Sequence, residues 1–210
     1  MIHAYNEVYL DDACNLLGSY FDVAVNEYGH TLKDAWKRFL FSNIANEFER
    51  GSPFVISGLS GPELFNRVYD SNRKSMRPFI NKTIEYWFGY YLAYYQWCTS
   101  VRFGMVDYYI DSDEILNMYR VYHEMDIMHF IEQINGLINQ RKNKTNLESH
   151  RLLMKLTRSE LSRISGVPTR TIEQYEQGLK DINKAKAVTL MALSRALLVE
   201  IEDLLELTRA

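Results

Sequence analysis

The chain has 210 residues, enough for one or two domains, and its 47% hydrophobic content supports a packed core and excludes a disordered chain. No apolar run reaches the roughly 18–20 uncharged residues of a membrane span, and MIHAYNEVYLDDA at the start lacks a basic stretch followed by an apolar one, so neither membrane segment nor secretion signal is expected. Cys14 and Cys98 are too few for a disulfide framework or a zinc site, and a cytoplasmic protein is the expectation.

In chain order, apolar residues at helical spacing (Ala13, Leu16, Leu17, Tyr20, Phe21, Ala24) predict a first helix over residues 9–28. A second is expected from Thr31 to about Glu49, with Trp36, Phe39, Leu40 and Ile44 on its apolar side and Gly51 and Pro53 ending it. SGPE, Ser60 to Glu63, has capping-box spacing with a proline in the first turn, and predicts a helix to about Asp70. Further helices fit roughly 80–98, 113–121 and 125–141. No alternation of period two is long enough for a strand.

The run YWFGYYLAYYQW, Tyr86 to Trp97, invites a base-stacking reading. Such surfaces are also basic, and no Lys or Arg lies between Lys82 and Arg102. The aromatics ring almost the whole helix, as in a helix buried on most sides, so core packing or a protein interface is expected, with a ligand pocket as the alternative. In HEMDIMH, His123 and His129 are six residues apart, about 240° round a helix, and do not share the single face that a zinc-protease pair needs. No nucleophile triad, phosphate loop or paired carboxylates stand out. No catalytic residue, metal or cofactor is expected, and an enzyme requires a polar cluster inside the first 140 residues.

Composition divides the chain. Of the 28 aromatic residues only Tyr175 lies beyond Phe130. Residues 1–140 hold 11 Lys+Arg against 18 Asp+Glu, and residues 141–210 hold 13 against 9, so a net −7 precedes a net +4. Such asymmetry marks the basic part for an anionic partner. The seam is the polar run NQRKNKTN, residues 139–146.

Beyond the seam five short helices are expected. The first spans about Asn146 to Lys155, with Leu147, Arg151 and Leu152 inward. TRSE, Thr157 to Glu160, gives a capping box for a second that ends near Ser165. Gly166 tolerates the left-handed turn, Val167 plugs it, and Pro168 suits the first turn of a third helix running to Gln177. A fourth covers about Lys184 to Leu197, with Val188, Leu190, Leu193 and Leu197 inward, and a fifth near Glu200 to Glu206 supplies Ile201, Leu204 and Leu205. With Ile172 at the core, Tyr175 and Glu176 fall within about 60° of it, while Arg170, Gln174 and Gln177 lie roughly opposite.

Two short helices joined by a tight glycine turn describe a helix-turn-helix. LTRSELSRISGVPTRTIEQYEQG resembles the DNA-binding domain of the Cro/CI (XRE) family over about Leu147 to Leu205, through Arg151, Leu156, Leu161, Ser162, Gly166, Ile172, Glu176 and Gly178 at the family spacing. The resemblance implies double-stranded DNA as partner, base reading by Thr169, Arg170 and Gln174, and phosphate contact by Arg158. Arg suits guanine, Gln adenine, and the Thr methyl a thymine methyl. Gln177, Lys180, Lys184 and Lys186, at or beyond the far end of the reading helix, are further phosphate candidates, with ordinary surface charge as the alternative for the lysines. Glu176 resembles the family's acidic residue that pairs with a first-helix arginine, here Arg151. Glu173, about 100° from Ile172, is either simply exposed or selects against a base. The chain departs from the family at Lys155 and Leu198, where glycine is common, at Arg158, where glutamine is common, and at Asn183, where proline is frequent.

The family binds pseudo-palindromic sites as dimers, so a homodimer is expected, held by the fifth helix or the aromatic part. NEVYLDDACNLLGSYFDVAVNEYG, GLSGPELFNRV and LAYYQW are similar, less specifically, to proteins encoded beside ADP-ribosyltransferase-like toxins. That similarity implies an antitoxin whose N-terminal part neutralises a toxin. The expectation is therefore an all-α protein: a helical domain over 1–140 for dimerisation or partner binding, a linker at 141–146, and a five-helix Cro/CI-type domain over 147–210. Its function is expected to be sequence-specific transcriptional regulation, as a dimeric repressor.

Overall fold

The computed structural model describes residues 3–74 and 82–206, and all regular structure among them is helical. They divide between Ile138 and Asn139 into two compact units.

In the first unit α1 (Leu10–Asp22) continues into a π-helical turn, Val23–Glu27. The expected second helix is two: α2 (Leu32–Phe41) and α3 (Asn43–Glu49). Ser42 breaks them with extended backbone, its amide and hydroxyl both donating to the Phe39 carbonyl. A short α4 (Pro53–Ile56) follows, then α5 (Gly61–Val68), opened by the Ser60/Glu63 capping box. α6 (Ile84–Thr99) carries the aromatic run; residues 80 and 81 of that expected helix lie outside the described residues. α7 (Phe103–Tyr109) occupies a stretch where no helix was expected, α8 (Ser112–Asn117) and α9 (Tyr119–Tyr122) split the next, and α10 (Ile127–Arg141) ends the series.

α1 is the centre of this unit, with α6 and α5 packed along it. Glycine on each helix permits the α1–α6 crossing. A β-carbon added at Gly89 of α6 would run into the Leu17 carbonyl oxygen, and one added at Gly18 of α1 would meet the Tyr86 carbonyl oxygen at 2.8 Å, so the backbones themselves touch. On α6, Tyr86, Trp87, Phe88, Tyr95 and Trp97 are buried, and Tyr90, Tyr91 and Tyr94 half-buried. The run is core, with Phe88 meeting Phe21 and Trp36 edge to face.

The second unit holds the end of α10, α11 (Asn146–Leu153), α12 (Arg158–Ser165), α13 (Thr169–Glu176) and α14 (Ala187–Leu197). Leu147, Leu161, Val167, Ile172, Ile182, Leu190, Leu193, Leu197 and Leu204 form its core. The fifth expected helix is reduced to a 3-10 turn, Glu202–Leu204, because the chain beyond is drawn into side-chain bonds with Asn146 and Asn183. Two expected core residues face out. Leu152 lies about 140° round α11 from Leu147, and Val188 about 160° round α14 from Leu190, so neither shares the buried face.

Candidate nucleic-acid interface

The α12–α13 pair is built by local chemistry. Thr157 Oγ1 accepts from the Glu160 amide at 3.2 Å, and Glu160 Oε2 accepts from the Thr157 amide at 2.8 Å. The bond from the Thr157 amide, with a second from the Thr157 hydroxyl to the same oxygen at 2.7 Å, holds the Glu160 carboxyl below its usual range. α12 stops at Gly166, whose φ of 72° is left-handed and whose amide donates to the Ser162 carbonyl. Val167 is buried as the plug. Pro168 sits one residue before the helix, its extended backbone offering its carbonyl to the amides of Thr171 and Ile172.

α13 is sharply two-faced. Ile172 and Glu176 are buried and Tyr175 packs against the core, while Thr169 and Arg170 are exposed and Gln174 half-exposed. Gln177, Lys180 and Lys184 lie exposed after the helix, and Lys184 is 3.5 Å from Asp181. Glu173 is half-buried on the flank, where Gln177 Nε2 donates to its Oε1 at 3.3 Å.

Behind this face lies an ion cluster. Arg151 grips Glu176 with two bonds, Nε to Oε1 at 2.7 Å and Nη2 to Oε2 at 3.0 Å, and gives Nη1 to the Leu156 carbonyl at 2.8 Å. Arg158 joins from the other side, Nε to Glu176 Oε2 at 2.6 Å, which raises its guanidinium pKa further above the ordinary value. Glu148 Oε1 stands 3.9 Å from Arg151 and 4.0 Å from Arg158. The resemblance implied one arginine on Glu176 and placed Arg158 at the DNA backbone. The second contact was not expected, and its one signal in the sequence was arginine standing where the family commonly has glutamine.

A second tie was also missed. Asn183 exchanges two bonds with the Glu206 backbone, at 2.6 and 2.7 Å, and Asn146 Nδ2 donates to the Leu205 carbonyl at 2.5 Å. The Glu206 carboxylate accepts from the Asn146 amide at 2.7 Å and pairs with Lys142. Asn183 in the place of a frequent proline was the available signal, since proline lacks the amide side chain that makes these bonds.

In the first unit, Asp34 accepts from Tyr69 Oη at 3.1 Å and from Arg38 Nε, with His30 at 3.5 Å, a partly exposed network. His123 Nδ1 lies 2.7 Å from the Tyr119 carbonyl, and His129 faces Glu132 at 3.7 Å. Among the described residues no three metal-ligating side chains converge, and no helix is long and apolar enough to cross a membrane. No family model, curated protein or solved structure matches the chain.

Proposed function

We propose that the protein is a sequence-specific, dimeric DNA-binding regulator of the Cro/CI helix-turn-helix type that reads the major groove with α13, most simply as a repressor. The carrying observation is the division of α13, with Thr169, Arg170 and Gln174 directed outward while Ile172 and Glu176 anchor the helix from within. Arg170 and Gln174, one turn apart on the outer stripe, supply the side chains that pair with guanine and adenine edges. Arg158, Gln177, Lys180 and Lys184 supply the backbone contacts that frame a reading helix. The net +4 of residues 141–210 supports an anionic partner.

Selection from random duplexes with the full chain tests this reading. A pseudo-palindromic site is expected. Arg170→Ala or Gln174→Ala is expected to abolish selectivity while leaving the melting temperature unchanged, and recovery of no preferred site sinks the proposal.

A second reading, a protein-neutralising antitoxin with autoregulation, is supported by the first unit's separate core and by Phe41 and Phe54, 86% and 85% exposed on an acidic unit. Under it, residues 1–140 co-purify with a stable protein partner, and a clean homodimer from cell extract counts against it.

A further inference from the structure

We infer that Glu176 is a positioning residue for Arg158, holding the Nε edge of its guanidinium so that the opposite edge meets a DNA phosphate. This rests on the DNA-binding reading and goes beyond it by naming what aims the cation. Arg158 is the first residue of α12 and Glu176 the last of α13, so their bond joins the two ends of the pair that lie farthest in sequence from the Gly166 turn. The Glu176 side chain is 0% exposed and that of Arg158 37%, so one partner is immovable and the other reaches solvent.

A guanidinium carries five N–H donors in one rigid plane. Bonding Nε inward sets that plane, and among the described residues the two end nitrogens make no hydrogen bond. Glu148, at 4.0 Å, attracts this end without reaching hydrogen-bond distance. The planar fork suits a phosphate, and lysine lacks the second edge needed to hold the carboxylate and the phosphate together. Arg158 is thus a bridge: a phosphate bound at its outer edge is linked through Glu176 to the helix that carries Arg170 and Gln174.

The test measures binding of the full chain to a labelled random-sequence duplex across a sodium chloride series, with thermal melting of each variant alongside. Arg158→Gln is expected to reduce the slope of log Kd against log salt by about one unit, the signature of one lost phosphate contact. Arg158→Lys is expected to keep the slope, because the charge remains, yet bind about tenfold more weakly, because its aim is lost. If Arg158 serves the fold alone, Arg158→Gln lowers the melting temperature without moving the slope, and the inference is overturned. Lysine binding as tightly as arginine also overturns it, and decides the matter if the glutamine variant does not fold. A wild-type chain that binds no duplex removes the DNA-binding reading and this inference together. Duplex binding with an unmoved slope removes this inference alone.

Discussion

Lys155 and Leu198 hold left-handed backbone, at φ 55° and 57°, at the two places where the Cro/CI resemblance puts glycine. A β-carbon in that conformation costs about 1–2 kcal/mol, part of which glycine returns through its freer unfolded chain. Lys155→Gly and Leu198→Gly are each expected to raise stability by about 0.5–1 kcal/mol, read as a higher urea midpoint. A lower midpoint for both means that the side chains make contacts worth more than the strain. Gly166 is the converse case. Its added β-carbon meets nothing within 4 Å, so Gly166→Ala pays the backbone cost alone, about 1 kcal/mol. Glu176 is the costliest of these positions to change. Glu176→Gln removes the carboxylate that holds the buried Arg151 through two hydrogen bonds, for an expected loss of about 3 kcal/mol in denaturant titration.

At the scale of elements, close contact and capping set the geometry. Gly89→Ala drives a methyl group into the Leu17 carbonyl of α1, and the two helices must part. The expected loss is about 1–3 kcal/mol, and a methyl tolerated without loss of melting temperature contradicts the crossing. The first turns of α5 and α12 share one device. Bonds from Ser60 and Thr157 hold the Glu63 and Glu160 carboxyls below their usual range. A group whose folded pKa is lowered stabilises the fold above its unfolded pKa, and that contribution disappears as pH falls through the folded pKa. Amide exchange in these two turns is therefore expected to quicken, relative to the rest of each helix, as pH drops below the ordinary carboxylate range. α13 combines the anchors Ile172 and Glu176 with the outward Arg170 and Gln174. Under the proposed function, changes on its outer face alter recognition, while changes on its inner face alter stability.

For the whole molecule, two units with separate cores predict two unfolding events rather than one. Ile172 is wholly buried in the second core, so Ile172→Ala is expected to lower one calorimetric transition by about 2–5 kcal/mol of stability and leave the other in place. A single transition that shifts as a whole contradicts independent units. Charge divides with the chain, since residues 1–140 carry −7 and residues 141–210 carry +4. The acidity of the protein as a whole therefore does not describe the part proposed to meet DNA.

Sequence alone determined the helical class, the buried faces of α1 and α6, the two capping boxes and the glycine turn, because periodicity, capping and left-handed backbone are properties of neighbouring residues. It also ordered α13, since turn arithmetic separates Ile172 and Glu176 from Arg170 and Gln174. Where neighbours were not enough it misjudged. Ser42 broke a helix that read as continuous. Leu152 and Val188 faced water, as turn arithmetic within their own helices dictates. The Asn183–Glu206 tie and the second arginine on Glu176 join residues 23 and 18 positions apart. Such bonds depend on how segments are brought together in space, and only the tertiary structure decided them.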